Sequence, residues 1–484
     1  MMRLIVFAIA LCMAAPAPGS EYERLRVAVH VDTAFSHNTR TVKIAGLPVW
    51  KIQGGDEPEP IESIARQAMA EGIDAIIVAD RARGDITLRL TPFSRVFAAT
   101  VSSGSVADVG GEAFLRDIHN ASNGIIIVPG LEAIPHYKQK GTMLLHLYRH
   151  VVIAGLDAPE KIDSFPDTVG GLGWRFSWSI LLNVPLLALL TGGWLAYRRT
   201  RRKWAGITAM CVSALFLIDG APFLPREISA FDDSTLAAVN AITAYADSNG
   251  AVSILAHPDA QTKNAYGAIT ECTLPYTNLI NDAGFTAFAA FNDGKSALAA
   301  GKEWDAALID FCRRKRATAV WAISECDYDA GSKPGSLAEA QTIVFAKERS
   351  AAGIIESIRS GRCYATRTST YRKIEVADYS LTCGSQTAIS GEMLAVEGTA
   401  RLNLRLKILS GTAEKAAERV RVHVISDGRR TELPLEISGN TLAGTMTFDE
   451  PAGNFTYVRV VICDKIEPVI ALNPIFIHGA GARE

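Results

Sequence analysis

Apolar and polar positions follow two periods along roughly the first 370 residues, and these periods predict strands that alternate with helices. Residues 25–29, 73–79, 124–128 and 252–256 are apolar runs of strand length. Residues 61–70 instead place apolar side chains at 61, 64, 65, 68 and 69, which is helical spacing. This alternation predicts an α/β fold with a mainly parallel sheet or barrel. In such folds, functional residues gather at the carboxyl ends of the strands.

The pattern changes near residue 370. Short alternating runs now follow one another, separated by turns rich in Gly and Asp, and residues 402–408, 420–425 and 457–462 are the clearest of them. Period-two alternation over short runs is typical of antiparallel sheets with one buried face. We therefore expect a small antiparallel β-sandwich over residues 369–484.

A long apolar stretch interrupts the α/β pattern at residues 176–224. Residues 176–197 are apolar and uncharged, residues 198–203 carry five basic side chains, and residues 204–218 are apolar again. The first run has the ~20 residues that a bilayer requires. We expect a transmembrane helical hairpin inserted into the α/β domain; the alternative is a helical hairpin buried in protein.

The amino terminus resembles an export signal over residues 1–19. Arg3 precedes the apolar residues 4–15, and Ala17-Pro18-Gly19 supplies small residues at a cleavage site. A cleaved signal would leave the following chain outside, and the basic loop of the hairpin would then face the cytoplasm. These features together predict a protein anchored in the inner membrane, with its barrel and sandwich on the periplasmic side.

Composition changes this interpretation little. A formal net charge of −2 provides no electrostatic field for nucleic acid, so no nucleic-acid partner is expected. Hydrophobic content of 48% and charged content of 21% are ordinary for a folded protein. Six of the eight cysteines lie outside both the predicted signal and the hairpin and could pair, but none forms the Cys-x-x-Cys motif of a zinc knuckle.

Potential metal ligands recur at or just beyond the predicted strand ends. His30 and Asp32 are two residues apart, and side chains at that spacing on a strand face the same side. Asp80, Glu132 and His257 follow the ends of later strands. One such pair would be weak evidence for a metal site, but potential ligands at successive strand ends predict one shared metal site.

Taken in order, these stretches resemble the polymerase and histidinol phosphatase (PHP) family of metallohydrolases. The matching pieces are His30-Val31-Asp32, His37, Gly72 to Ile76 with Ala79-Asp80-Arg81, Val128 to Glu132, His150, Ala256-His257-Pro258 and Asp327-Tyr328-Asp329. The tail that ends in Asn473 to Ile477 resembles the carbaryl hydrolase-like branch. The resemblance implies a distorted (β/α)7 barrel, with a first half at residues 20–170 and a second half at residues 225–368.

The same resemblance implies a site for two divalent ions, Zn, Mn or Fe. The implied ligands are His30, Asp32, Glu132 and Asp327 for one ion, and Glu132, His150 and His257 for the other. His146, four residues before His150, is an alternative to it. Asp32 stands where the family has a histidine, and a carboxylate oxygen still binds Zn or Mn.

The family's third metal position is where this sequence departs most. That position would involve His37, Arg81 and Asp329, and a guanidinium group cannot coordinate a cation. We therefore expect no third ion and assign these three residues to the catalytic set. Arg81 would be available to hold an anionic oxygen or to pair with Asp329.

These features predict an exported, membrane-anchored, metal-dependent hydrolase, with phosphoesters of small anionic molecules as the first candidate substrates. Two alternatives stay open. The altered positions Asp32, Arg81 and Asp329 would also suit a pseudoenzyme that keeps the barrel as a periplasmic binding or scaffold protein. The sandwich tail would suit a hydrolase of carbamates or amides.

Overall fold

The computed structural model describes most of the chain. The described residues are 22–36, 40–44, 47–52, 59–89, 98–134, 138–140, 143–146, 150–166, 168, 174–176, 184–199, 203–219, 223–225, 234–266, 269–292, 294–329, 332–333, 335–368, 374–451 and 455–479. The predicted export signal at residues 1–19 lies outside them. His37 and His136 also lie outside.

Seven strand positions form a distorted ring around the main hydrophobic core. The strands are β1 (Glu23–Val31), β4 (Ala75–Val78) continued by β5 (Asp80–Arg81), β8 (Ile126–Val128) continued by β9 (Gly130–Ala133), β12 (Val151–Ala154), β15 (Val252–Leu255), β18 (Ala287–Phe291) and β19 (Trp321–Ser324). Hydrogen bonds link β1-β4-β8 in one sheet and β5-β9-β12-β15-β18-β19 in a second. The two sheets meet where the chain passes Ala79 and Pro129.

The segment that follows β19 closes the ring against the end of β1. The amide of Cys326 donates to the carbonyl of Val29 at 2.9 Å, and the amide of Tyr328 donates to the carbonyl of His30 at 2.9 Å. On the other side, Gly130 fits between β4 and β12 because it has no side chain. A Cβ at that position would lie 2.5 Å from the carbonyl oxygen of Val78, closer than any real contact.

In the described part of the chain, seven helices surround the ring. They are α1 (Ile61–Ala70), α2 (Gly111–Ala121), α3 (Pro159–Asp163), α6 (Ser234–Ser248), α7 (Leu279–Asp282), α8 (Glu303–Cys312) and α9 (Ala351–Arg359). The apolar face expected for α1 is present, since Ile61, Ile64, Ala65 and Ala68 are buried. The helix ends where the pattern indicated, because Gly72 takes the left-handed conformation, φ 75°, just beyond it.

The fold-class prediction is wrong about the hairpin. The described parts of residues 174–225 form β13 (Trp174–Phe176), α4 (Val184–Arg199), α5 (Lys203–Asp219) and β14 (Phe223–Pro225). The two helices pack against each other, but among the described residues no helix combines the length and the apolar composition needed to cross a membrane. The 16 residues of α4 span about 24 Å, whereas the hydrocarbon core of a bilayer is about 30 Å thick. The predicted transmembrane hairpin at residues 176–224 and the predicted inner-membrane location are therefore wrong.

Fewer strands of the ring run parallel to their neighbours than the alternation of strands and helices in the sequence predicted. Strand β12 runs antiparallel to both β9 and β15. Four excursions from the carboxyl-terminal side of the ring build two further sheets that the sequence did not predict. They contain β2 (Arg40–Ile44), β3 (Leu47–Ile52), β6 (Asp85–Arg89) and β7 (Ala98–Ser102) in one, and β10 (Lys138–Lys140), β11 (Met143–His146), β16 (Lys263–Tyr266) and β17 (Ile269–Thr273) in the other.

The C-terminal region forms two antiparallel layers around a second hydrophobic core. Its elements are β20 (Ala340–Ala346), β21 (Cys363–Arg367), β22 (Ile374–Cys383), β23 (Gln386–Ala388), β24 (Met393–Val396), β25 (Thr399–Ile408), α10 (Ala413–Ala417), β26 (Val420–Ser426), β27 (Arg429–Glu432), β28 (Glu436–Ser438), β29 (Thr441–Asp449), β30 (Thr456–Asp464) and β31 (Glu467–Gly479). Strands β22, β23, β25, β28 and β29 form one layer. The other layer is continuous with the ring, because β21 pairs with β31, β20 with β21, and β1 with β20.

The contact between the ring and the C-terminal layers contains a fully buried ion pair. Arg459 of β30 donates from Nε to the Asp305 carboxylate of α8 at 2.6 Å, and both side chains have zero exposed area. The guanidinium group also lies over the ring of Trp304, 4.4 Å from its centroid. A buried charge is tolerated only when it is paired and hydrogen-bonded, so this pair fixes how the two parts meet.

Candidate metal centre

Three histidines and two carboxylates converge at the end of the ring where β1, β9 and β15 terminate. His30, Asp32 and Glu132 form one group of potential ligands, and Glu132, His150 and His257 form another. The candidate ligand atoms within each group lie within 4.8 Å of one another. His30, His257 and Glu325 form a third group, and Glu132, His30 and His257 each belong to two of the three.

Distances around Glu132 define the geometry. Its Oε1 lies 2.5 Å from Nδ1 of His150, 3.3 Å from Nε2 of His30 and 4.0 Å from Nε2 of His257. Asp327 approaches from the opposite side, with Oδ1 3.5 Å from Nε2 of His30. All six predicted ligands thus lie around one position.

Backbone conformations at the strand ends direct these side chains inward. The pairing of β1 with β4 shifts register between Val29 and Val31, so His30 sits in a β-bulge. His30, His257 and Asp327 have φ of 67°, 27° and 47°, in the left-handed region that non-glycine residues rarely occupy. Such strained residues cluster at functional sites, where the surrounding structure holds them in place.

His150 reaches the centre from an antiparallel strand. It immediately precedes β12, whose register pairs Val152 with Glu132. Because β12 runs opposite to β9, its amino end lies at the same edge as the carboxyl ends of β9 and β15. The carbonyl of His150 accepts from the amide of Ala256 at 3.0 Å, which fixes the strand beside His257.

Glu325 is a buried carboxylate of the site that the sequence analysis missed. Its Oε2 lies 3.1 Å from Nδ1 of His30, and its Oε1 accepts from the backbone amide of His257 at 2.6 Å. A proton on Nδ1 of His30 would be held by Glu325, which leaves the Nε2 lone pair facing Glu132 and Asp327. Carboxylates in this outer position orient histidine ligands and raise their basicity. The only sequence signal was an acidic residue two positions before Asp327 and two positions after the apolar run at residues 317–323.

Tyr276 has a comparable role at His257. Its hydroxyl donates to the carbonyl of Ala256 at 2.9 Å and lies 3.3 Å from Nδ1 of His257. A hydroxyl that donates to the carbonyl can accept from Nδ1–H, so Nε2 of His257 would be the unprotonated nitrogen that faces Glu132. Sequence reasoning gave no signal for Tyr276.

The electrostatics of the group favour positive charge. Burial lowers the pKa of His30, but Asp327, Glu132 and Glu325 outweigh burial and hold that pKa well above its ordinary value. Burial raises the pKa of Glu132, but the neighbouring His150 and His30 outweigh burial and hold it well below its ordinary value. Burial, followed by the charge of Glu132, raises the pKa of Asp32 well above its ordinary value.

The donor set fits a divalent metal centre. Oδ1 of Asp32 is buried and has no hydrogen-bond partner within the part of the chain that the structure describes. A buried carboxylate oxygen without a donor is costly unless a cation meets it. Imidazole nitrogens with carboxylate oxygens are the ligands that Zn, Mn and Fe take, and the buried His and Glu groups therefore suit divalent metal binding.

The remaining predicted residues lie at the rim or outside the described chain. Arg81 is half-buried, its amide donates to Ser36 at 2.7 Å, and its charge lowers the pKa of Asp32. Asp329 is exposed, and its carboxylate accepts from the Ser332 hydroxyl at 3.1 Å. Asp80 is fully buried and accepts from the amide and hydroxyl of Thr33, so it braces the turn after β1. His146, the alternative to His150, is in β11.

Replacing Glu325 by Gln tests whether it supports the centre. The amide keeps the shape but loses the charge that holds the proton of His30. We expect the fold to persist and the affinity for Zn to fall by about 10–100-fold, the usual effect of losing an outer-shell partner. Competition with a chromogenic chelator measures the affinity, and Glu339→Gln, close by in the sequence, is the matched control. Unchanged affinity in Glu325→Gln would exclude this role.

Comparison with known proteins adds little to this assignment. No family model matches the chain, and no curated protein matches it. A solved structure from Bacteroides vulgatus, described as a two-domain protein containing a predicted PHP-like metal-dependent phosphoesterase, aligns with 93% of this chain and 94% of its own. The two share 12% sequence identity with a TM-score of 0.33, which does not establish a common fold.

Proposed function

We propose that this protein is a metal-dependent phosphoesterase that uses two divalent ions sharing Glu132. The observation that carries the proposal is the position of that carboxylate between His30, His150 and His257, with Asp32 completing the first group. His30, Asp32, Glu132 and Asp327 would hold one ion, and Glu132, His150 and His257 the other. Bound ions of this kind supply a nucleophilic hydroxide near neutral pH and neutralise charge on the reacting group.

The other roles in the site would depend on where each side chain lies. Buried His30, His150 and His257 exclude bulk water from the inner side of the site, whereas the Asp327 side chain is 48% exposed and faces the entrance. Arg81 follows directly on the buried Asp80 at the same edge of the ring. A guanidinium group there would bind phosphate oxygens through paired hydrogen bonds, which favours phosphoesters over neutral carbamates or amides.

Metal analysis combined with a substrate panel tests this function. We expect about two equivalents of Zn, Mn or Fe per chain and metal-dependent hydrolysis of aryl phosphates that exceeds that of aryl carbamates. His257→Ala should lower both the metal content and the activity. His119→Ala, an exposed histidine on α2, is the matched control and should change neither.

The alternatives give different results in the same experiment. A folded protein that binds no metal, or binds it without hydrolysing any ester, would support the pseudoenzyme. Faster turnover of carbamates than of phosphates would support the amide or carbamate alternative. Either result would overturn the phosphoesterase proposal.

A further inference from the structure

A second cleft lies between the last turn of α8 and the C-terminal layers. It encloses about 1130 Å³ and shares no residue with the metal centre. Its walls come from the carboxyl end of α8, from the turn between β26 and β27, and from β29. Pockets for small molecules are typically about 300–1,000 Å³, so this cleft is large enough for one.

Part of the cleft wall is apolar, where the margins of the two hydrophobic cores meet. Ile309 and Phe455 belong to the margin of the core inside the ring, and Met446 and Phe448 belong to the margin of the C-terminal core. All four side chains are only half-buried and line the cleft. Apolar side chains collected around a concave space are the usual lining of a ligand site, whereas isolated exposed ones are ordinary.

The rim of the cleft is cationic. Arg313 and Arg314 follow the end of α8, and Arg429 begins β27 on the facing side. Within the described residues, no carboxylate lies at ion-pair distance from these three guanidinium groups.

The one acid in the lining offsets only part of this charge. Asp427 is already engaged, since it accepts from the Thr456 hydroxyl at 2.7 Å. It is also held in the tight turn between β26 and β27, where it and Gly428 both have positive φ. Three arginines against one acid leave the rim with a net charge of about +2.

We propose that this cleft binds a small amphipathic molecule that has an apolar body and one anionic head group, such as a carboxylate. The apolar body would cover Met446 and Phe448, and the head group would pair with the arginines at the rim. Arginine binds a carboxylate through two parallel hydrogen bonds, which suits a head group at the mouth of a cleft with an apolar patch inside it. This site is independent of the proposed hydrolysis.

Isothermal titration calorimetry on the full chain with three probes tests the proposal. Decanoate supplies both the body and the head group, butyrate supplies the same head group with a short body, and decyltrimethylammonium supplies the same body with the opposite charge. We expect decanoate to bind one per chain and butyrate to bind at least about tenfold more weakly, because each buried methylene contributes. Decyltrimethylammonium should not bind. Equal binding of the two decyl probes would overturn the proposed charge selection.

Substitutions locate the binding. Arg313→Ala combined with Arg314→Ala should weaken decanoate binding by about tenfold or more, and Phe448→Ala should weaken it as well. Arg66→Ala, an exposed arginine on α1, removes the same charge elsewhere and should have no effect. Thermal melting checks that each variant is folded. If decanoate does not bind, or binds equally to the arginine double variant, the assignment is wrong.

Discussion

Replacing Glu132 by Gln is expected to remove metal from both halves of the centre and to lower kcat/KM by about a thousandfold or more, equivalent to about 4 kcal/mol. Among the candidate ligands, Glu132 is shared by the two groups that would hold the ions, and it is 95% buried. The neutral amide cannot balance two divalent charges. The measurements are metal content by mass spectrometry and steady-state kinetics with an aryl phosphate.

The control for this change is Glu112→Gln, an exposed residue on α2, which should keep full activity and metal content. Loss of only part of the metal content or of the activity would also be informative. A Glu132→Gln variant that is folded and retains both ions would contradict the bridging role, whatever its activity.

Replacing Asp305 by Ala is expected to destabilise the protein by about 3–5 kcal/mol, because it leaves the Arg459 charge buried without its partner. Asp305 also accepts from the amide of Gly301 at 2.6 Å, so a second donor would lose its acceptor. Urea unfolding followed by circular dichroism measures the change.

Two further variants separate the contribution of the ion pair to stability from the contribution of the surrounding packing. Asp157→Ala breaks an exposed pair with Lys161 and should cost less than about 1 kcal/mol. Replacing both members of the buried pair, Asp305→Leu with Arg459→Met, should recover part of the loss because no charge remains unpaired. A double variant less stable than Asp305→Ala would show that packing, and not charge, is responsible for the loss of stability.

Much of the ring and the candidate site could be read from the sequence because the signals were local. Apolar runs of strand length marked β1, β4, β8 and β15, and His30, Glu132 and His257, which follow three of these runs, lie together at one end of the ring. His30 and Asp32 come together as expected, and they do so through a β-bulge that periodicity does not reveal. The bulge, and not simple two-residue spacing, directs His30 into the site.

The parts that could not be predicted depend on contacts between distant segments. Glu325 and Tyr276 act through the orientation of histidines that are distant in sequence. The antiparallel direction of β12 is set by pairing with β9 and β15, and a four-residue apolar run does not reveal its direction. The hairpin was misjudged because composition gave an unbroken apolar run, whereas no helix among the described residues is long and apolar enough to cross a membrane.

The continuous sheet from β1 through β20 and β21 to β31 limits how the C-terminal layers could be exchanged by recombination. Asn473 of β31, which is fully buried, accepts from the amide of Ala322 and donates to the carbonyl of Cys363, so it joins the last strand of the chain to β19 and β21. Recombination that exchanged the C-terminal layers would have to supply an equivalent strand and side chain. The ring and the C-terminal layers are therefore expected to be inherited together and not exchanged separately.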